Sequence, residues 1–267
     1  MFVYLLFICK TNFRKHKYLH TFGLEAATNL ESMRTQFSSL IGLKKDEIYF
    51  TGSGSEANFL AIVSLALAYK RKGQHIISTK TEHPSVLNAL SYLEKHGYRI
   101  TYIPVTHEGT VTTDALQASI KPDTILCTIA AASSEIGTIQ PMVELSTILR
   151  KHDILFHSDC IQALAKVPID YTLLDAASFS AHKLYAPKGT GAAFISNRLF
   201  FEPFYEDARH EKGFRPGTVD LPAIASFTIG LKHAIQVQDL LMEDYRSIGK
   251  SIFEINKNWK IHLDWCH

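Results

Sequence analysis

The stretch 179–191, "FSAHKLYAPKGTG", sets Lys183 one step past His182 at the end of an apolar run and follows it with a Pro-Lys-Gly turn. An amine in such a place is either a surface cation or a nucleophile toward a carbonyl group. Upstream, Asp159 ends another β-rich run, and "IQALAKVPIDYTLLD" lies between the two as the crossover of a compact βαβ unit. If Lys183 and Asp159 each end a parallel strand, both side chains emerge at the carboxyl edge of the sheet, where α/β sheets bind ligands. An amine and a carboxylate facing one aromatic ring is the pyridoxal phosphate arrangement. The amine forms an imine, and the carboxylate keeps the pyridinium nitrogen protonated so that the ring is an electron sink. Taken alone, the pair is more often a structural ion pair or two surface charges.

A phosphate would need its own cradle, and "TGSGSEAN" offers one after a β-rich run. Its glycines permit close backbone approach, Ser53 and Glu56 have capping-box spacing, and the first turn presents free N–H groups, with Gly54 and Ser55 as donors. Many strand-to-helix turns share this composition without binding anything. His83, in "TEHPSV", sits at a similar junction, where an imidazole either stacks on a cofactor ring or serves as a helix cap. Gln162, three residues after Asp159, can face the same pocket and donate to a phenolic oxygen, although exposed glutamines are far commoner.

The elements that must hold these residues follow from the pattern. From Asp46 onward short β-rich runs ("EIYFTG", "QHIIST", "RITYIPV", "TILCTIAA", "ILFHSDC", "ASFSAHK", "GAAFIS") alternate with helical runs, with Gly73 and Gly97 as helix stops and Pro141 at a helix start. After Pro222 one long helical stretch leads out. The opening "MFVYLLFIC" is too short to span a bilayer and reads as a buried strand. At 267 residues, with 46% hydrophobic and 20% charged residues, the composition is that of an ordinary soluble globular protein. A formal charge of +2 implies neither nucleic acid nor a membrane surface as partner. The four cysteines, Cys9, Cys127, Cys160 and Cys266, include no CxxC pair, so no metal site and no disulfide framework is expected, and a reducing cytoplasm fits.

Seven segments in register carry a family resemblance: "HTFGLEAATNLESMR", "IYFTGSGSEAN", "TEHPSVLNAL", "EIGTIQP", "HSDCIQALAKVPID", "SFSAHKLYAPKGTGAAFI" and "HEKGFRPGTVDLPAIASF". Together they resemble the cysteine desulfurases, pyridoxal phosphate enzymes of the class V aminotransferase type. The resemblance implies an α/β fold: a mixed, mainly parallel sheet flanked by helices, the large domain of a fold-type I enzyme. Residues 1–19 would be an atypical N-terminal segment, 20–219 the cofactor-binding domain, and 220–267 a connecting helix and the start of a small domain that is mostly missing. Lys183 would be the Schiff-base lysine and a proton shuttle, and Asp159 the pyridinium partner. His83 would be the stacking imidazole, with an acid or base role, and Gln162 the phenolic-oxygen partner. Gly54, Ser55, Ser180 and His182 would hold the phosphate, and Thr218 would reach the phosphate of a second subunit, implying a homodimer. Lys188 would be structural.

The implied reaction converts L-cysteine to L-alanine and passes sulfur on as a protein-bound persulfide. An acceptor or scaffold protein of iron–sulfur cluster or thio-cofactor assembly would receive it. Ser134 stands where the family has an asparagine that contacts the ring oxygen. The family's cysteine-bearing loop and carboxylate-binding arginine have no counterpart before His267. Cys266 matches no family loop, and Cys160 is expected to line the pocket or pack beneath it. The chain alone is therefore expected to lack turnover. The rival readings are another class V reaction, such as transamination or selenocysteine cleavage, and a truncated paralogue that binds cofactor or a partner without catalysis.

Overall fold

The computed structural model describes residues 21–259, so the expectations for residues 1–19 and for Cys266 lie outside the described residues. Seven strands form one sheet: β1 (Ile48–Thr51), β2 (His75–Thr79), β3 (Arg99–Ile103), β4 (Thr124–Thr128), β5 (Leu155–Asp159), β6 (Ala176–Ser180) and β7 (Gly191–Ile195). Their spatial order is β1-β7-β6-β5-β4-β2-β3. Strands β6, β5, β4, β2 and β3 are mutually parallel, whereas β7 runs antiparallel to both β6 and β1. Strands β1 to β6 therefore point the same way, and their carboxyl ends share one edge. Apart from β3, which ends the sheet, every strand is buried throughout. That is why these segments read as apolar runs with little alternation.

Helices cover both faces. On one side α1 (Thr21–Leu40), α4 (Thr113–Ser119), α5 (Met142–Lys151) and α6 (Leu221–Gln236) bury Leu30, Phe37, Leu116, Leu149 and Phe227 against Phe50, Phe156, Phe179 and Phe194 of the sheet. On the other, α2 (Gly54–Ala68) and α3 (Pro84–Lys95) pack Leu60, Val63, Val86 and Leu90 onto Ile76, Leu126, Leu155 and Ala193. Alternate residues of one strand serve opposite cores, as with Leu155 and Phe156. α2 is buried over most of its surface, which explains an apolar run without a helical stripe.

Four expectations are corrected. Strand β6 ends at Ser180, and Lys183 sits beyond it in a 3-10 turn, Ala181–Leu184, closed by Tyr185 in the left-handed region at φ 59°. The β5-to-β6 crossover is built of turns and a short 3-10 segment, Tyr171–Leu173, with no α-helix. The long final helix is two, α6 and α7 (Gln238–Trp259), broken at Val237. Gly97 takes φ +91° after α3 as a helix stop does, but Gly73 serves closeness instead. A Cβ there would lie 2.1 Å from the Asp123 carbonyl oxygen.

Candidate active site

The common carboxyl edge holds a cavity of about 460 Å³. The segments after β1, β2, β4, β5 and β6 each bring residues to it, so the topology alone gathers groups far apart in sequence. Gly54, Ser55, His83, Ser134, Asp159, Gln162, Ser180, His182 and Lys183 all line this cavity. Thr218 does not line it.

The first turn of α2 forms one end. Ser53 Oγ caps it by accepting from Glu56 N at 3.1 Å. The Glu56 carboxylate, however, reaches past the cap to Gly52 N, so the expected capping box is shifted by one residue. Glu56 also accepts from Arg215 Nε at 3.0 Å, which ties the "RPGT" turn to this loop. Gly54 has no room for a side chain: a Cβ would lie 2.4 Å from Ile161 Cδ1 and 2.9 Å from Ser180 Cβ. Gly191, at the start of β7, lies against the same turn, and a Cβ there would meet Ser53 C at 2.5 Å and Gly54 N at 2.7 Å. Free N–H groups and the helix dipole make such an end favourable for an anion. Ser180 Oγ and His182 Nδ1, 3.0 Å apart, add polar groups beside it. Burial first, then repulsion from Lys183, Lys188 and Lys166, lowers the His182 pKa.

Asp159 forms the floor. Its carboxylate is buried, accepting from Asn58 Nδ2 at 2.7 Å and Ile161 N at 3.0 Å. Burial raises its pKa, against the opposing pull of the Ile161 and Asn58 hydrogen bonds and the nearby His83. A cationic ring nitrogen docking here would relieve that penalty. Asn58, fully buried in α2, also donates to Ser85 Oγ at 2.9 Å, while its Oδ1 has no partner. An orphaned buried carbonyl costs about 1–3 kcal/mol, which the fold tolerates at this position. His83 is the N-cap of α3 and also lines the cavity.

Glu82 is a site residue the sequence reading missed. It is buried and accepts from Thr79 Oγ1 at 3.0 Å and from Ala130 N at 3.1 Å to each oxygen. Burial pushes its pKa up to about 8, and the neighbouring Asp159 adds to the rise. Asn58 and Ser85 were missed as well. A lone polar side chain at the head of the apolar "FLAIVSLALA" run was the available signal for Asn58.

Lys183 is half-buried at the cavity wall. Lys166 Nζ donates to Gln162 Oε1 at 2.9 Å, leaving the Gln162 amide nitrogen for the cavity. Burial and repulsion from Lys183 lower the Lys166 pKa. Ser134 Oγ donates to Glu135 at 3.1 Å. Cys160 is fully buried, is absent from the cavity lining, and has its thiol pushed up to about 12 by burial, so it packs beneath the site. Among the described residues no three His, Cys, Asp or Glu side chains cluster as metal ligands would, and no helix is long and apolar enough to cross a membrane. The cavity thus offers an anion cradle, a buried carboxylate for a cationic ring nitrogen, and an amine for a carbonyl carbon.

The comparisons with known proteins converge. The family model for aminotransferase class-V matches residues 5–240. The chain is 45% identical to NifS of Halalkalibacterium halodurans, over 92% of this chain and 66% of that one. It is 41% identical to the cysteine desulfurase IscS of Dictyoglomus turgidum, over 88% of this chain and 59% of that one. Among solved structures, one described as a NifS-like protein superposes with a TM-score of 0.90 at 28% identity, covering 96% of this chain and 71% of the other. SspA in complex with cysteine superposes with a TM-score of 0.82 at 30% identity, covering 87% of this chain and 68% of the other. The chain spans between 44% and 66% of the length of the curated relatives it matches.

Proposed function

The chain belongs to the aminotransferase class-V family, and from that premise we propose that it is the cofactor-holding part of a pyridoxal-phosphate-dependent cysteine desulfurase. The proposed reaction takes sulfur from L-cysteine, leaves L-alanine, and delivers the sulfur to an acceptor protein of iron–sulfur or thio-cofactor assembly in the cytoplasm. The observation that carries this reading is that an amine, a buried carboxylate and a glycine-walled helix end meet in one cavity. When bound, pyridoxal phosphate supplies an electron sink that makes bonds at the amino acid's α-carbon breakable.

The roles follow from the side chains. Gly54 and Ser55, with Ser180 and His182, hold the phosphate at the first turn of α2. Asp159, kept an acceptor by Asn58 and Ile161 N, holds the proton of the ring nitrogen. His83 would cover the ring, and Gln162, its oxygen occupied by Lys166, would give its amide nitrogen to the ring's hydroxyl oxygen. Ser134, also in the cavity wall, would face that same oxygen. Lys183 would hold the cofactor through its amine and move the proton at the substrate α-carbon. Thr218, outside the cavity, serves the phosphate of a second copy, so the working form is a homodimer. In this reading residues 20–219 are the cofactor domain and 220–267 the connecting helix and start of the small domain, with α6 packed against the core of the cofactor domain. Cys127 and Cys160 are fully buried and outside the cavity lining, so neither is placed to accept the sulfur.

The test is to load the chain with pyridoxal phosphate, record its near-visible absorbance, reduce with borohydride and map the modified peptide. The added mass is expected on Lys183, and Lys183→Ala should lose both the absorbance and the adduct. An adduct on Lys188, or no absorbance from folded protein at saturating cofactor, would falsify the reading.

A further inference from the structure

We infer that Asn58 and Ser85 are positioning residues that hold the neutral ring of His83 in one tautomer, with its proton on Nε2. The inference deepens the cofactor reading above and rests on it for its catalytic meaning. Four hydrogen bonds carry it. Ser85 N donates to His83 Nδ1 at 3.1 Å, so this nitrogen presents a lone pair and the neutral ring keeps its proton on Nε2. Ser85 Oγ also lies 2.7 Å from His83 Nδ1. A serine hydroxyl has one proton, and Asn58 Nδ2 donates into Ser85 Oγ at 2.9 Å, which leaves the Ser85 proton free to point at Nδ1. The second N–H of that Asn58 amide goes to Asp159 Oδ2 at 2.7 Å.

The chain of donors therefore runs one way on each side of a single amide: from Asn58 to Asp159, and from Asn58 through Ser85 to His83. Ionised Asp159 accepts only, which fixes the orientation of the Asn58 amide. The orphaned Asn58 Oδ1 is the counterpart of that orientation, since both N–H groups are spent on the site and the carbonyl is left unpaired. The consequence is chemical: His83 offers the reacting region a proton at Nε2, while Nδ1 is shut off from it. Asp159, the ring-nitrogen partner, and His83, the ring cover, are thereby set by one buried side chain that lies in α2 and does not line the cavity.

The test is ¹⁵N NMR of the chain labelled in its histidine rings and free of cofactor, with His83 assigned by the signals lost in His83→Gln. The neutral ring is expected to show a bare Nδ1 and a protonated Nε2. A neutral ring protonated at Nδ1 would overturn the inference. Ser85→Ala and Asn58→Ala should each reduce the Nε2–H fraction, because the hydroxyl donor to the Nδ1 lone pair is lost or misdirected and the Ser85 backbone N–H alone remains. The other charged or titratable groups around the cavity are Asp159, Glu82, Glu135, His182 and Lys183; Ser85→Ala removes no hydrogen bond to any of them, whereas Asn58→Ala also takes a donor from Asp159. A tautomer population identical to the parent in the folded Ser85→Ala variant would sink the relay even if Asn58→Ala fails to fold. A purely structural role would leave the ring signals alone. No cofactor is present in these measurements, so a chain that never takes up pyridoxal phosphate would defeat the functional reading while leaving the tautomer assignment to stand or fall on its own. With pyridoxal phosphate then added and fixed on Lys183, the His83 signals should shift, and unmoved signals would remove its catalytic meaning.

Discussion

At the scale of single residues, the site separates groups whose chemistry is visible from groups that prepare it. Lys183, Asp159 and the Gly54–Ser55 turn were legible because their types and neighbours are unusual for a surface. Glu82 was not, because an acidic residue between Thr81 and His83 reads as a solvated loop until its burial is known. That burial predicts a pH signature. The Glu82 pKa rises from 4.5 to about 8, so between those values the unfolded chain releases a proton that the folded chain keeps. Stability must then fall as pH rises through this window, by on the order of 5 kcal/mol in the limit. Glu82→Gln preserves the shape and the acceptor for Ala130 N while deleting the titration. Its Tm should match the parent near pH 5 and exceed it at pH 8, as thermal melts across this range would report. Parallel Tm curves for the two proteins would show that Glu82 is ionised in the native state.

At the scale of elements, the strands were read correctly because buried parallel strands announce themselves as apolar runs. The β5-to-β6 crossover was misread as helical because "QALAKV" has good helix formers. The chain there instead turns at Ala165, with φ 54°, to pass under the site. The shift of Glu56 from Ser53 N to Gly52 N was likewise invisible, because spacing alone names a pair of residues and not the atom that is reached. Two histidines inside the sheet carry a further prediction. His75 in β2 bridges Thr124 and Thr101, each at 2.7 Å, and His157 in β5 bridges Thr128 at 2.8 Å and Ser178 at 3.1 Å. Each ring thus ties its strand to both neighbours. Burial lowers their pKa values from 6.5 to about 4 and about 3. The unfolded chain takes up protons below 6.5 that the folded chain refuses, so stability present above 6.5 is lost as pH falls toward 3. For His157 the loss is on the order of 5 kcal/mol in the limit. Urea titrations of His157→Gln between pH 7 and pH 4 should show a shallower acid decline than the parent, and an equal decline would assign the acid sensitivity elsewhere.

At the scale of the whole molecule, the strand at the sheet's end depends on a buried ion pair. Arg34 of α1 binds Glu211 through Nη1 at 2.7 Å and Nη2 at 2.9 Å, and both side chains are almost fully buried. The pair also serves the open edge of β1, where Arg34 Nη1 donates to Ile48 O at 2.8 Å and Glu211 accepts from Phe50 N at 2.7 Å. An edge whose backbone groups are already paired offers no template to another chain. Arg34→Met leaves a buried carboxylate without its partner and should cost about 3–5 kcal/mol. Adding Glu211→Gln, which removes the charge and keeps an acceptor for Phe50 N, should recover most of that loss in denaturation midpoints. A single variant within about 1 kcal/mol of the parent would reduce the pair to the value of a surface contact.

The reversed strand β7 has a consequence in time. Ile48 pairs with Phe194, and Gly191 lies on the turn between β1 and α2, so the first turn of α2 is seated by residues that leave the ribosome far later. Long-range closure of this kind comes late in assembly. During synthesis the parallel strands from β2 onward can pair in order as they emerge, but β1 must wait. The anion cradle is therefore among the last features to exist, and a nascent chain that stops short of β7 presents the lysine without the cradle.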